Sequence, residues 1–85
     1  MTVIDVRTRE EYAGGHVADS LNIPLNELPG KIDELKAVNG DIVLCCASGM
    51  RSSVAKQLLM QQGIYNVADG GPWTNVQYKI VNNLI

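Results

Sequence analysis

Residues 44–53 read LCCASGMRSS, a stretch that runs from an apolar strand through a short loop into a helix. Two cysteines end the apolar part, small residues and Gly49 form the loop, and Arg51 follows before the helical pattern. Consecutive backbone N–H groups in such a loop, together with the positive end of a helix dipole, favour negative charge and lower the pKa of a thiol. The stretch therefore predicts a nucleophilic cysteine inside an anion-binding loop.

The chain contains four short apolar runs, one of which leads into this stretch. Their β-branched or aliphatic residues are typical of buried strands. They cover residues 3–6, 21–23, 42–45 and 65–68. Helical patterns lie between them, and strands that alternate with helices indicate a parallel sheet covered on both faces. We therefore expect an α/β fold, a small parallel sheet flanked by helices on both faces, in a single domain over residues 1–85. Ligands of such folds bind beyond the carboxyl ends of the strands, where Cys46 falls.

The helices are predicted from capping residues and apolar spacing. Thr8 with Glu11 matches a capping box at the start of a short first helix, and Thr74 with Gln77 matches a second one at the start of the last helix. The helix after the loop is expected to be capped by Ser52 or Ser53 and to end at Gly63. The predicted apolar faces hold Leu25, Leu28, Ile32 and Leu35, then Val54, Ala55, Leu58 and Leu59, then Val76, Ile80 and Leu84.

Composition and charge exclude several classes of function. The chain has 85 residues, of which 46% are hydrophobic, and a formal net charge of −2, which is typical of one compact globular domain. Binding to nucleic acid or to an anionic membrane requires a basic surface, and no apolar window is long enough to span a bilayer. We expect a cytoplasmic monomer, with an exported form whose signal has been removed as the alternative.

The two cysteines are adjacent in the chain, so they can build neither a disulfide framework nor a zinc site.

The charges near the loop indicate an anionic substrate. Between Asp41 and Asp69 the only charged side chains are Arg51 and Lys56. We therefore expect an electropositive site, with the side chain of Met50 facing outward beside its mouth.

The loop Cys46-Ala47-Ser48-Gly49-Met50-Arg51-Ser52 resembles the active-site loop of the rhodanese (sulfurtransferase) domains, which has a glycine three positions and an arginine five positions after the cysteine. Other marks of that family have similar counterparts here in their usual order. They are Ile4-Asp5-Val6-Arg7, Glu11-Tyr12, Gly15-His16-Val17, Leu21-Asn22-Ile23-Pro24-Leu25 and Gly70-Gly71 with Trp73. The tryptophan departs from the family pattern, because it usually follows the glycine pair at a longer distance.

The resemblance implies that Cys46 attacks the outer sulfur of thiosulfate, or of a persulfide donor, and expels sulfite or a thiol. The sulfur would then be carried as a persulfide to cyanide, to a thiol or to an acceptor protein, without a metal or an organic cofactor. Arg51 would bind the oxyanion of the donor. The other residues that the resemblance assigns to substrate binding are Ala47, Ser48, Gly49, Met50 and Ser52.

Three further residues are implied to support the fold and not the chemistry. The Asp5-x-Arg7 pair resembles the family's pair that orders neighbouring loops through a salt bridge. His16 is the only histidine, and its pKa range suits a general base. A histidine between glycine and valine at a turn into a strand is more often a hydrogen-bonded framework residue, so we expect a structural role for it.

The cysteine pair also allows a second interpretation, in which Cys45 is the nucleophile. Cys45 stands six positions before Arg51, which is the Cys-x5-Arg-Ser spacing of cysteine phosphatases, and some phosphatases share the rhodanese fold. Three positions after Cys45 comes Ser48, whereas three after Cys46 comes Gly49, and a sulfur atom needs a smaller loop than a phosphate. We therefore expect sulfur chemistry at Cys46, with Cys45 as a small buried residue that closes the strand. The alternatives are a cysteine-dependent phosphatase or arsenate reductase, and a non-catalytic sulfur-carrier or regulatory module.

Overall fold

The chain folds as a parallel sheet with helices, in a computed structural model that describes residues 1–85. The elements are β1 (Thr2–Asp5), α1 (Arg9–Ala13), β2 (Leu21–Asn22), a 3-10 helix (Leu25–Lys31), α2 (Ile32–Lys36), β3 (Ile42–Cys46), α3 (Met50–Gln61), β4 (Val67–Pro72) and α4 (Trp73–Val81). All strand pairs are parallel, in the order β2-β1-β3-β4. The predicted α/β fold is confirmed. None of the helices combines the length and apolar character that crossing a membrane requires.

The core lies on both faces of the sheet, because successive side chains of a strand point in opposite directions. Ile4, Leu44 and Cys46 lie in the larger cluster, with helix residues Leu28, Leu35, Ala55 and Leu59. Val3 and Cys45 lie in the smaller cluster with Val17 and Val76, the latter from α4. The central strands β1 and β3 are therefore covered by packed side chains on both faces of the sheet.

The first predicted capping box is present. The Thr8 hydroxyl accepts a hydrogen bond from the backbone N–H of Glu11 at 3.2 Å, and the Glu11 carboxylate accepts one from the N–H of Thr8 at 3.1 Å. The end of α3 is also as predicted, because Gly63 adopts a left-handed φ of 85° just after the C-cap residue Gln62. At these two helix ends, residues close together in the sequence were enough to predict the boundary.

The predicted start of α3 is wrong. The helix begins at Met50, so Ser52 and Ser53 lie inside its first turn and neither caps it. Gly49 is the N-cap residue with a φ of 102°, a left-handed conformation that glycine adopts without a steric penalty. This turn brings the chain from the loop into the helix earlier than a serine cap would.

Both predicted boundaries of α4 are also wrong. The helix begins directly after β4 with Pro72 as its N-cap and no side-chain cap, so Thr74 lies within the helix and makes no capping box. It ends at Val81, and Asn83 takes a left-handed φ of 56°. Leu84 is therefore outside the helix and is 61% exposed instead of lying on its apolar face.

Three other elements differ from the sequence pattern. The predicted helix across residues 25–35 is divided into the 3-10 helix, which accommodates Pro29, and the short α2. Tyr65 and Asn66 lie before β4, which continues instead to Pro72. Val54 is 51% exposed, because the buried stripe of α3 is Ser52, Ala55 and Leu59. A buried serine on that stripe is unusual for a core position and belongs to the site below.

Candidate active site

The Cys46 sulfur lies at the carboxyl end of β3 and is wrapped by the loop that follows. The N–H of Gly49 donates to Cys46 Sγ at 3.0 Å, and the N–H of Ser52 donates to it at 3.4 Å. The left-handed φ of Gly49 turns its N–H back toward the sulfur, and a side chain at this position would strain that backbone. Main-chain donors and the start of α3 therefore converge on one sulfur atom.

These contacts favour the ionised form of Cys46. Burial of the sulfur acts in the opposite direction and raises its pKa, since Cys46 has no exposed surface. The hydrogen bond between the sulfur and the Ser52 hydroxyl, together with those donated by the N–H groups of Ser52, Gly49 and Ser48, outweighs burial, so the pKa of Cys46 is lowered from its ordinary value. A thiol with a lowered pKa is a better source of thiolate, the nucleophilic form.

Cys45 has the opposite environment. Its side chain lies in the smaller cluster on the other face of the sheet and has no exposed surface. Burial raises the pKa of Cys45 to about 12, with a further contribution from the negative charge of Asp5. Cys45 is therefore a neutral thiol that faces away from the loop.

Ser52 connects the sulfur to a carboxylate from a distant part of the chain. Its Oγ lies 3.5 Å from Cys46 Sγ and donates to Asp69 Oδ1 at 2.7 Å. The N–H of Gly71 also donates to Asp69 Oδ1, at 2.9 Å. Asp69 was not predicted as a site residue, because it comes 17 positions after Ser52 in the chain and is brought close only by the pairing of β4 with β3.

Arg51 is held by a second carboxylate that the sequence pattern did not place at the site. Its Nη1 and Nη2 donate to Glu11 Oε1 and Oε2 at 2.7 and 2.9 Å. This pairing raises the pKa of Arg51, and together with the N–H of Thr8 it lowers the pKa of Glu11 to about 2. The expectation of an electropositive site counted only charges close in sequence, and the fold adds the carboxylates of Glu11 from α1 and Asp69 from β4.

The Asp5–Arg7 pair lies at the end of β1, where Asp5 pairs with Cys45 of β3, and connects three elements. Arg7 Nε and Nη2 donate to the Asp5 carboxylate at 2.9 and 2.7 Å, and both residues are buried. Arg7 Nη2 also donates to the carbonyl of Gly15 at 2.7 Å, and the guanidinium lies 4.9 Å from the ring centre of Trp73. The pair ties the end of β1 to the loop after α1 and to the start of α4.

His16 makes local contacts outside the sulfur site. Its Nδ1 lies 2.8 Å from the carbonyl oxygen of Tyr12 and its ring stacks on the Tyr12 ring at 3.7 Å. A carbonyl only accepts, so Nδ1 carries the hydrogen of this bond. The contact satisfies a carbonyl at the end of α1 and fits a framework residue.

The structure brings together most of the predicted site residues. Ala47, Ser48 and Gly49 form the turn over the sulfur, and Ser52 reaches the sulfur from within α3. Met50 is 77% exposed, so its side chain faces solvent at the mouth as expected. Nowhere do three or more His, Cys, Asp or Glu side chains converge as a metal-ligand group.

A groove of about 340 Å³ lies beside Arg51, and its lining does not include Cys46. It is lined by Val6, Thr8, Pro24, Leu25, Asn26 and Arg51.

The sequence analysis did not assign Glu11 to the site. It could have been found from its capping box, which places its carboxylate at the start of α1 near the strand ends. No local signal marks Asp69.

Comparison with known proteins identifies the family. The model of the Rhodanese-like domain family matches residues 1–71. The chain is 36% identical over 69 residues to the thiosulfate sulfurtransferase PspE of Escherichia coli, covering 80% of this chain and 66% of that protein. It is 35% identical over 78 residues to the putative sulfur carrier protein YrkF of Bacillus subtilis, covering 87% of this chain and 42% of that protein.

A solved structure, a rhodanese with anions from E. coli, superposes with a TM-score of 0.79 at 31% identity and covers 87% of this chain and 88% of that one. The chain thus spans only part of the length of its curated relatives but most of the length of this solved chain. The fold, the loop after Cys46 and the family match all indicate the same family. The chain belongs to the rhodanese-like domain family.

Proposed function

We propose that this protein is a sulfurtransferase that carries sulfane sulfur as a persulfide on Cys46. The observation that carries the proposal is the pair of N–H groups, from Gly49 and Ser52, that donate to Cys46 Sγ. These donors stabilise negative charge on sulfur, whether on the attacking thiolate or on the thiolate that leaves when sulfur is passed on. The donor is thiosulfate or a persulfide, and the acceptor is a thiol or cyanide.

The reaction proceeds in two displacements. The Cys46 thiolate attacks the outer sulfur of thiosulfate, a new sulfur–sulfur bond forms, and the bond to the sulfonate breaks with its electron pair leaving on sulfite. An acceptor thiolate or cyanide then attacks the outer sulfur of the persulfide, and the Cys46 thiolate leaves. Because Cys46 has no exposed surface, the loop must shift away from the sulfur to admit the donor.

Arg51 is proposed to hold the loop and to bind the donor at the same time. In the free protein its two terminal nitrogens are engaged by Glu11, which holds the start of α3 against α1. A guanidinium has five N–H donors, so Arg51 keeps hydrogens that can bind a sulfonate oxygen while this pair is intact. The groove beside Arg51 offers an apolar surface for the rest of an acceptor.

The phosphatase alternative would need Cys45 in the loop. The burial of Cys45 on the opposite face of the sheet and its raised pKa favour the sulfurtransferase. The carrier alternative uses the same persulfide, and the relatives include both a thiosulfate sulfurtransferase and a putative sulfur carrier. Both versions share the step at Cys46.

Intact mass after incubation with thiosulfate tests this step directly. We expect one added sulfur atom in the native chain and in Cys45→Ser, and none in Cys46→Ser. Release of the sulfur as thiocyanate on addition of cyanide distinguishes a persulfide from adventitious oxidation. Sulfur addition that requires Cys45, or no addition together with hydrolysis of an aryl phosphate, would overturn the proposal.

A further inference from the structure

A continuous line of hydrogen-bonding groups leads from the buried sulfur to solvent. Cys46 Sγ lies 3.5 Å from Ser52 Oγ, and Ser52 Oγ lies 2.7 Å from Asp69 Oδ1. Cys46 and Ser52 have no exposed surface, whereas Asp69 is exposed. The carboxylate thus contacts the inner end of the site through a single hydroxyl.

The Ser52 hydroxyl has one hydrogen to donate, and more than one acceptor group lies within reach of it. While Cys46 is a thiol, its S–H donates to Ser52 Oγ, and the Ser52 hydrogen goes to Asp69. A thiolate can only accept, so it competes with Asp69 for the Ser52 hydrogen. The Gly49 carbonyl, 3.1 Å from Ser52 Oγ, is a weaker third acceptor, because a hydrogen bond to an ionised carboxylate is roughly twice as strong as a neutral one.

We propose that Asp69 is a positioning residue for the sulfur chemistry: it holds the Ser52 hydroxyl hydrogen while Cys46 is a thiol and yields it to the sulfur when Cys46 is a thiolate. The inference rests on the proposed function for its role, but its geometry stands without it. Asp69 touches no substrate in this scheme and acts on Cys46 through Ser52.

The position of Asp69 is built by the sheet and is not a chance surface contact. Leu44 pairs with Asp69 and Cys45 pairs with Gly71, so β4 bulges at Gly70 beside the end of β3. The N–H of Gly71 holds Asp69 Oδ1 from the strand itself at 2.9 Å. A bulge redirects a side chain at a strand end, here toward the first turn of α3.

Other titratable groups lie near the sulfur and do not reach it through Ser52. They are the neutral Cys45 thiol on β3, Arg51 on α3, Glu11 on α1 through its pair with Arg51, and the Asp5–Arg7 pair at the end of β1. Replacing Asp69 leaves all of these in place. A change in Cys46 after that replacement therefore reports on Asp69 alone.

The proposal predicts opposite shifts for the two members of the line. Asp69→Asn removes the competing charge and keeps an oxygen for the N–H of Gly71, so Ser52 turns to the sulfur and Cys46 ionises at lower pH. Ser52→Ala removes a donor to the thiolate, so Cys46 ionises at higher pH. In the Ser52→Ala background, Asp69→Asn has lost its route to the sulfur.

The test is the pH dependence of Cys46 alkylation by iodoacetamide, with the site located by fragment masses. It uses the native chain, Asp69→Asn, Ser52→Ala and the double variant, with Asp41→Asn as control because Asp41 is exposed at the opposite, amino end of β3. We expect Asp69→Asn to lower the midpoint by about half a pH unit or more, and Asp41→Asn to leave it unchanged. Circular dichroism of each variant shows that the chain is folded.

The double variant decides how Asp69 acts. A shift from Asp69→Asn that falls to less than half its size in the Ser52→Ala background supports coupling through the hydroxyl. An equal shift in both backgrounds would mean that Asp69 acts only by its field, and no shift would mean that it is not coupled; either result overturns the inference. If Asp69→Asn is unfolded, Asp69→Ala, which also removes the carboxylate, replaces it, and an unmoved midpoint then has the same meaning. No sulfur donor is present, so failure here is distinct from failure of persulfide formation.

Discussion

Cys45 and Cys46 are adjacent in the chain, yet their side chains enter different clusters on opposite faces of the sheet. The pleat of β3 is the cause, because neighbouring residues of a strand point in opposite directions. Only Cys46 meets the loop N–H groups, and only Cys45 has its pKa raised. A doublet that offers two nucleophiles in sequence therefore offers one in space.

The first prediction follows from this separation. In the folded protein, iodoacetamide should modify Cys46 at least about tenfold faster than Cys45, because the thiolate is the reactive form and only Cys46 has donors that stabilise it. Fragment masses after brief labelling identify the modified residue. In denaturant the two rates should converge, and preferential labelling of Cys45 in the native protein would contradict the assignment.

The second prediction concerns Gly70, whose close packing admits no side chain. A Cβ there would lie 2.6 Å from Val76 Cγ2 and 3.0 Å from the Leu44 carbonyl oxygen. We expect Gly70→Ala to lower the free energy of unfolding by about 1–3 kcal/mol through overpacking. The control is Gly30→Ala, where a Cβ would meet nothing within 4 Å; urea unfolding of both variants measures the difference, and equal stability would refute the packing argument.

The third prediction tests the buried Asp5–Arg7 pair. Arg7→Lys keeps the charge but loses the fork on Asp5 and the bond to the Gly15 carbonyl, so we expect a loss of about 1–3 kcal/mol in unfolding free energy. Arg9→Lys is the matched control, because the Arg9–Glu27 pair has side chains 59% and 39% exposed. Exposed pairs contribute about 1 kcal/mol or less. Similar losses for both variants would show that burial of Arg7 is unimportant.

The fourth prediction is a pH dependence set by Glu11. Its folded-state pKa of about 2 lies below the ordinary value of 4.5, so its ionised form stabilises the fold above that value and this stabilisation disappears as the pH falls through 2. Glu11→Gln lacks this contribution at every pH. The difference in unfolding free energy between native and variant should therefore be full at neutral pH and shrink between pH 4.5 and 2; a difference independent of pH would contradict it.

The fifth prediction concerns substrate affinity and has the opposite sign to the stability effect. Glu11 places a negative charge on the guanidinium proposed to bind the donor, so Glu11→Gln should lower the KM for thiosulfate by roughly twofold to fivefold, equivalent to about 1 kcal/mol or less for a partly exposed charge. Steady-state kinetics at a temperature where the variant is folded measure it. Glu10→Gln on the same helix, where the carboxylate makes no ion pair, is the control, and a raised KM in Glu11→Gln alone would instead assign Glu11 to loop positioning only.

Much of this molecule could be predicted where the determinants are local. The alternation of apolar runs with helical patterns indicated the parallel α/β fold, and the Thr8–Glu11 capping box and Gly63 marked helix ends because the atoms involved lie within a few residues. Boundaries set by tertiary packing were mispredicted. The start of α3 depends on the left-handed Gly49 beside Gly71, and the start of α4 depends on its direct continuation from β4.

The site divides in the same way. The sequence by itself determined the loop, its glycine and arginine, and the register that favours Cys46, since a tight anion loop is built from consecutive residues. Only the tertiary structure decided that Cys45 faces away from that loop, that Glu11 holds Arg51 and that Asp69 reaches Ser52. The physical reason is that parallel strands are joined by long crossovers, so the groups that meet at their carboxyl ends come from distant parts of the chain.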